Sequence, residues 1–124
     1  MANHNQGGIG RIWHATLYSL AGIRAAWKHE AAFRQEVLLT VILVPAAFWL
    51  GSSTVERLML LGSCLIVLIT ELLNSAVEAA IDRISDDKHR LSARAKDLGS
   101  AAVFISLWLV VITWGLIGYD RLLG

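Results

Sequence analysis

Three long apolar blocks dominate this chain, and they leave it few ways to fold. From Val37 to Leu50 the only polar residue is Thr40, Leu58 to Ile69 is almost wholly apolar, and Ala101 to Ile117 is interrupted by Ser106 and Thr113. A hydrocarbon core of roughly 30 Å needs about 20 helical residues, and each block approaches that length once its flanks are counted. With 124 residues, 56% of them hydrophobic, and a mean hydropathy of +0.57, the chain carries more apolar surface than a small soluble domain can hide. An all-α membrane protein is expected, forming a single membrane domain over residues 1–124.

The blocks divide that domain. Residues 1–28 form a polar, Gly-rich start followed by a helix in which Ile9, Trp13, Leu17, Leu20 and Trp27 recur at helical spacing. A basic amphipathic helix with aromatic anchors beside a membrane span is expected to lie in the membrane interface. The spans are expected at 31–50, 56–84 and 92–119, the second running on past the bilayer. Nine of the eleven Lys and Arg residues lie before the first span or between the second and third, and only Arg57 and Arg121 flank the other ends. By the positive-inside rule the N-terminus and the second connection face the cytoplasm and the C-terminus faces out, with Trp49, Trp114 and Tyr119 near the outer interface. No apolar h-region with a small-residue cleavage site occurs in the first 36 residues, so no removed signal peptide is expected. The lone Cys64 lies within an apolar block and is expected to be a small buried side chain.

Chemistry concentrates in the second span. Glu71, Asn74, Ser75, Glu78 and Asp82 are spaced i, i+3, i+4, i+7 and i+11. On a helix those offsets share a stripe of roughly 100°. An ionised side chain at the bilayer centre costs about 2.5–3.5 kcal/mol on insertion scales, so the row needs protein, water or cations around it. Interhelical hydrogen bonding would account for Asn74 and Ser75 alone. Three carboxylates on one stripe repel each other unless a cation lies among them. Glu71 follows twelve almost purely apolar residues and should lie deepest, as suits a general base, while Asp82 should be near water.

A second cluster, Ala93-Arg94-Ala95-Lys96-Asp97-Leu98-Gly99-Ser100, opens the third span on the same side. Lys96 can meet phosphate oxygens as a point charge, and Asp97 can hold a cation or an amino group; the plainer alternative is an anchoring lysine beside a solvated acid. Glu30 and Glu36 bracket the approach to the first span, and one of them could add a carboxylate to the site. A net charge of +1 and the lack of a basic groove point away from nucleic acid. Neither GxxxxGK[ST] nor GxGxxG occurs, which removes the P-loop and protein-kinase cradles. The acids alone also suit a proton or cation pathway subunit with Glu71 as carrier, or a non-catalytic assembly subunit.

Glu71-x-x-Asn74-Ser75-x-x-Glu78-x-x-x-Asp82, the run Ala31-Ala32-Phe33-Arg34-Gln35-Glu36, and Ala95-Lys96-Asp97 with Gly99-Ser100-Ala101 together resemble the prokaryotic diacylglycerol kinase family. The resemblance covers nearly the whole chain. It implies a homotrimeric enzyme of the bacterial inner membrane that transfers the γ-phosphate of Mg-ATP to diacylglycerol, or, in related members, to undecaprenol. It implies Glu71 as catalytic base and Glu30 with Glu78 as Mg²⁺ ligands. Nucleotide contacts would come from Arg11, Tyr18, Glu30, Glu78, Lys96 and Asp97 and from the connection Asp87-Lys88-His89. Arg11, Phe33, Gln35, Glu36, Trp49, Glu71 and Ser100 would line the path of the lipid substrate, with Asn74 and Asp82 in support.

Overall fold

The structure, a computed structural model, describes residues 7–84 and 90–124. Among the described residues it contains four helices in chain order: α1 (Gly8–His29), α2 (Ala31–Leu50), α3 (Thr54–Ile84) and α4 (Arg90–Leu123). The last three are long and apolar enough to cross a membrane, as expected of an all-α membrane protein with one further helix ahead of its spans. Helix is the only local solution for such segments, because lipid offers no partner for a free N–H or C=O. Thr40 and Thr70 obey the same constraint, each returning its hydroxyl proton to the carbonyl four residues back, Glu36 and Ile66. Pro45 lies inside α2 without ending it.

Helix α3 is the central element. It packs along α4 most extensively and along α2 less, while α2 and α4 barely touch. The tightest packing lies at one end of the bundle, where Ala47, Leu50 and Leu60 are buried against Leu61, Trp114 and Ile117. Trp114 ties α4 to α3 there by donating its indole N–H to the carbonyl of Leu60 at 3.2 Å.

The turn between α2 and α3 closes the same end. Gly51 donates its N–H to the carbonyl of Ala47, and a Cβ at this position would strike the Arg57 side chain. The Glu56 carboxylate accepts from the N–H and the hydroxyl of Ser52, and the Ser53 hydroxyl accepts from the N–H of Glu56, a reciprocal cap for α3. Arg57 and Arg121 donate their Nε protons to the carbonyls of Phe48 and Trp49, satisfying the last turn of α2 from two neighbouring helices.

Outside that end, little of the chain is covered by protein. Its accessible surface is 9197 Å², whereas a soluble globule of this mass exposes about 6600 Å². Ala26 is the only buried residue of α1, and Ser106 the only one of α4. Ile9, Trp13, Leu17, Leu20 and Trp27, the apolar stripe of α1, all remain exposed. The excess is the apolar surface that lipid or further protein covers.

Candidate active site

The end opposite the packed turn holds the acids, and its geometry starts at a corner. Glu30 alone separates α1 from α2, in extended conformation (φ −117°, ψ 104°), serving as the last cap of one helix and the first of the next. Arg34 locks the corner by donating one Nη1 to the carbonyls of Trp27 and Lys28, at 2.7 and 3.3 Å. Those carbonyls sit at the negative end of α1, which favours a guanidinium there. Glu30 thereby lines a cavity of about 580 Å³ between α1 and the small-residue face of α3, where Ser75, Ala76 and Ala79 lie.

On α3 the row of acids runs from dry to wet. Glu71 is buried, with 8% of its surface exposed, Asn74, Ser75 and Glu78 are half-buried, and Asp82 is exposed. Counted along the helix from Thr54, Glu71 lies about 25 Å down and Asp82 about 42 Å down. A hydrocarbon layer of roughly 30 Å that began at the turn would enclose Glu71 and end short of Asp82. Glu71 faces the carboxyl group of Glu36 from α2, and Glu30 and Glu78 both lie within electrostatic reach of it. One oxygen of Glu36, Oε2, is buried with no hydrogen-bond partner. Asn74 donates from Nδ2 to Glu78 Oε1 at 3.1 Å.

At the wet end Lys96 of α4 forms a salt bridge with Asp82 of α3, Nζ to Oδ1 at 2.8 Å. Both side chains are about half or more exposed, so the ammonium remains accessible to a further anion. Asp97 and Ser100 are exposed on the same stretch of α4.

The structure therefore brings Glu30, Glu36, Glu71, Asn74 and Glu78 to one end of the chain, with Lys96 and Asp82 at its rim. Phe33 is buried and Gln35 exposed on the first turns of α2. Others of the expected site residues stand apart within the single chain. Arg11 lies about 28 Å along α1 from Glu30. Tyr18 is exposed, its ring tilted against that of His14. Trp49 is at the far end of α2, under the guanidinium of Arg121. Asp87, Lys88 and His89 lie outside the described residues.

Two residues of this end have no role in the sequence reading. Arg34 there is only part of the run from Ala31 to Glu36, although a cation four residues after Glu30 is well placed to cap a preceding helix. Gly99, across from Asn74, leaves no side-chain pattern to read; the signal would be a glycine facing an amide on the partner helix.

Among the described residues no group of three or more His, Cys, Asp and Glu side chains converges to hold a metal. Mg²⁺ rarely uses such a cage. It keeps water and substrate phosphates and takes one or two carboxylates from protein. Glu30 and Glu78, both half-buried and both near Glu71, fit that donor set.

The sequence profile of the prokaryotic diacylglycerol kinase family matches residues 17–118. A Pseudomonas aeruginosa protein named diacylglycerol kinase is 54% identical over 112 residues, covering 90% of this chain and 91% of that protein. An Escherichia coli protein of the same name is 51% identical over 114 residues, covering 92% of this chain and 93% of its own. A Helicobacter pylori diacylglycerol kinase is 36% identical over 108 residues, covering 87% and 84% of the two chains. The match takes in α2 and α3 whole, acid row included, with most of α1 and α4, and the chain belongs to the prokaryotic diacylglycerol kinase family.

Proposed function

We propose that this chain phosphorylates diacylglycerol with ATP as donor, giving phosphatidic acid at the cytoplasmic face of the bacterial inner membrane. The observation that carries this reading is the buried Glu71, at the dry end of an acid row whose wet end presents the exposed Lys96–Asp82 pair. A lipid hydroxyl arrives through the membrane and a polyphosphate through water, and the row spans the depth between them. A proton or cation pathway would leave Lys96 without a task; family membership speaks for phosphoryl transfer.

Glu71 takes the proton of the lipid's primary hydroxyl as that oxygen attacks the γ-phosphorus. The bond from the γ-phosphorus to the β–γ bridging oxygen breaks, and ADP leaves with that electron pair. Glu30 and Glu78 would hold Mg²⁺, which supplies charge neutralisation on the phosphates. Lys96 meets phosphate oxygens as a point charge, with Asp97, Arg11 and Tyr18 as further nucleotide contacts. Glu36, Phe33, Gln35 and Ser100 line the lipid's approach. A homotrimer supplies the remaining walls, since three helices leave Glu78 and Asn74 half open.

The test is transfer of labelled γ-phosphate from ATP to diacylglycerol by the purified protein in lipid, with undecaprenol assayed in parallel. Labelled phosphatidic acid is expected. Label in undecaprenyl phosphate alone moves the substrate to polyprenols, and ATP-independent ion flux without either product overturns the reading.

A further inference from the structure

We propose that Gly99 is a positioning residue of this site: having no Cβ, it lets the Asn74 amide lie flat against α4 and hold the Glu78 carboxylate. This rests on the reading of Glu78 as a metal-holding carboxylate. The Asn74 side chain lies between two neighbours. On one side Nδ2 donates to Glu78 Oε1. On the other, Oδ1 is buried with no hydrogen-bond partner and presses on Gly99. The amide cannot turn around, because a carboxylate only accepts and would meet Oδ1 with its own oxygen. An unsatisfied buried carbonyl is costly, and it is retained here because the same rotamer is what directs the N–H at Glu78.

A methyl group at position 99 would collide with Asn74 Oδ1 and come within 3.2 Å of Asn74 Cγ. It would stand 3.9 Å from Asn74 Cα, an ordinary contact. The backbones of α3 and α4 therefore need not separate; the amide alone must swing. A groove of about 490 Å³ lined by Thr70, Leu73, Val77, Ala95, Leu98 and Ala102 lies beside it and gives the amide somewhere to go. Once swung, Nδ2 no longer reaches Glu78. Outer partners that orient a metal-binding carboxylate are worth about 10–100-fold in metal affinity, so one missing methyl on α4 sets the metal dependence of an acid on α3.

The experiment combines a double-mutant cycle with a spectroscopic readout on the full-length protein in micelles. The side-chain amide resonances of Asn74 are recorded in wild type and Gly99→Ala, and Mg²⁺ is titrated at fixed ATP in Gly99→Ala, Asn74→Ala, the double variant and Glu78→Gln. Gly62→Ala is the control, since a Cβ there meets nothing in the chain. In Gly99→Ala the Asn74 amide signals are expected to move, and half-maximal activity to need roughly tenfold more Mg²⁺. The double variant should match Asn74→Ala alone, because the amide that the added methyl would strike is gone. Unmoved Asn74 signals in Gly99→Ala, or additive effects in the double variant, overturn the inference. If Gly99→Ala does not fold, the double variant must, and its failure overturns the inference too. Moved signals together with unchanged metal dependence in Glu78→Gln overturn the metal reading of Glu78 and leave the contact standing.

Discussion

The carboxyl groups of Glu36 on α2 and Glu71 on α3 face each other inside the bundle. Two ionised carboxylates so placed repel, and a hydrogen-bond donor at position 36 would relieve that repulsion. Replacing Glu36 by Gln puts a fixed donor opposite Glu71, whereas Leu offers none. We expect Glu36→Gln to retain most of its turnover and Glu36→Leu to lose roughly tenfold, the scale of one unmade hydrogen bond to a charged group. Turnover of the two variants at saturating ATP and lipid decides it; equal rates would make the contact irrelevant to the reaction.

Glu71→Gln should insert and assemble as the wild type does, since a neutral amide is cheaper in lipid than a carboxylate. It cannot accept a proton, and a general base contributes typically about 10²–10⁴-fold in rate. Circular dichroism and gel filtration check the fold, and phosphate transfer checks the rate. A variant that keeps more than a tenth of wild-type turnover would take the base away from Glu71.

Lys96 and Asp82 are joined by a salt bridge exposed to water, and such pairs add little to stability. Asp82→Asn is therefore expected to leave the apparent melting temperature unchanged and not to raise the KM for ATP. Lys96→Met should raise that KM by about tenfold or more through loss of a charge-assisted contact. Equal destabilisation of both variants with an unaltered KM would show a structural latch and no nucleotide contact.

Metal dependence separates the two ends of the bundle. Glu30→Gln and Glu78→Gln should each raise the Mg²⁺ needed for half-maximal activity, or abolish activity, because Mg²⁺ takes one or two carboxylates along with phosphates. Glu56, which caps α3 at the opposite end by accepting from Ser52, serves as control. Titration at fixed ATP is the measurement. An unchanged profile in both of the first two variants leaves Asp82 or Asp97 to hold the metal.

How much of this was legible beforehand follows from what lipid and helical spacing can announce. Long apolar blocks admit only helices in a bilayer, so the three spans were readable from Val37–Leu50, Leu58–Ile69 and Ala101–Ile117 alone. The shared stripe of Glu71, Asn74, Glu78 and Asp82 needs nothing beyond 3.6 residues per turn. What crosses between helices was not legible. The register of α2 against α3 that brings Glu36 to Glu71, and of α3 against α4 that joins Asp82 to Lys96, depends on packing that has no signature in either segment. The break between residues 28 and 31 was readable, but the lock that Arg34 places across it, onto the carbonyls of Trp27 and Lys28, was not.

Subunit sharing makes a further prediction. Along α3, Asp82 lies about 16 Å from Glu71, so the Lys96 that it binds stands well away from the base of its own chain. If sites form between copies, oligomers mixed from Glu71→Gln and Lys96→Ala subunits should regain activity that neither variant has alone. Mixing in a range of ratios and measuring phosphate transfer gives the answer. Activity that only falls on dilution of wild-type chains, or a fully active detergent-solubilised monomer, would place each site within one subunit.

The large uncovered surface changes what folding stability means for this protein. With 9197 Å² accessible and Leu60 the only large side chain fully sealed from its surroundings among the described residues, the native state is defined by what touches it. A free energy of unfolding is then not a constant of the chain. It is a mass-action quantity that moves with the lipid, the detergent and the concentration of neighbours. Melting curves of variants are comparable only at matched protein-to-lipid ratio, and a substitution on the bare faces of α1 or α4 can shift them without altering any contact inside the subunit.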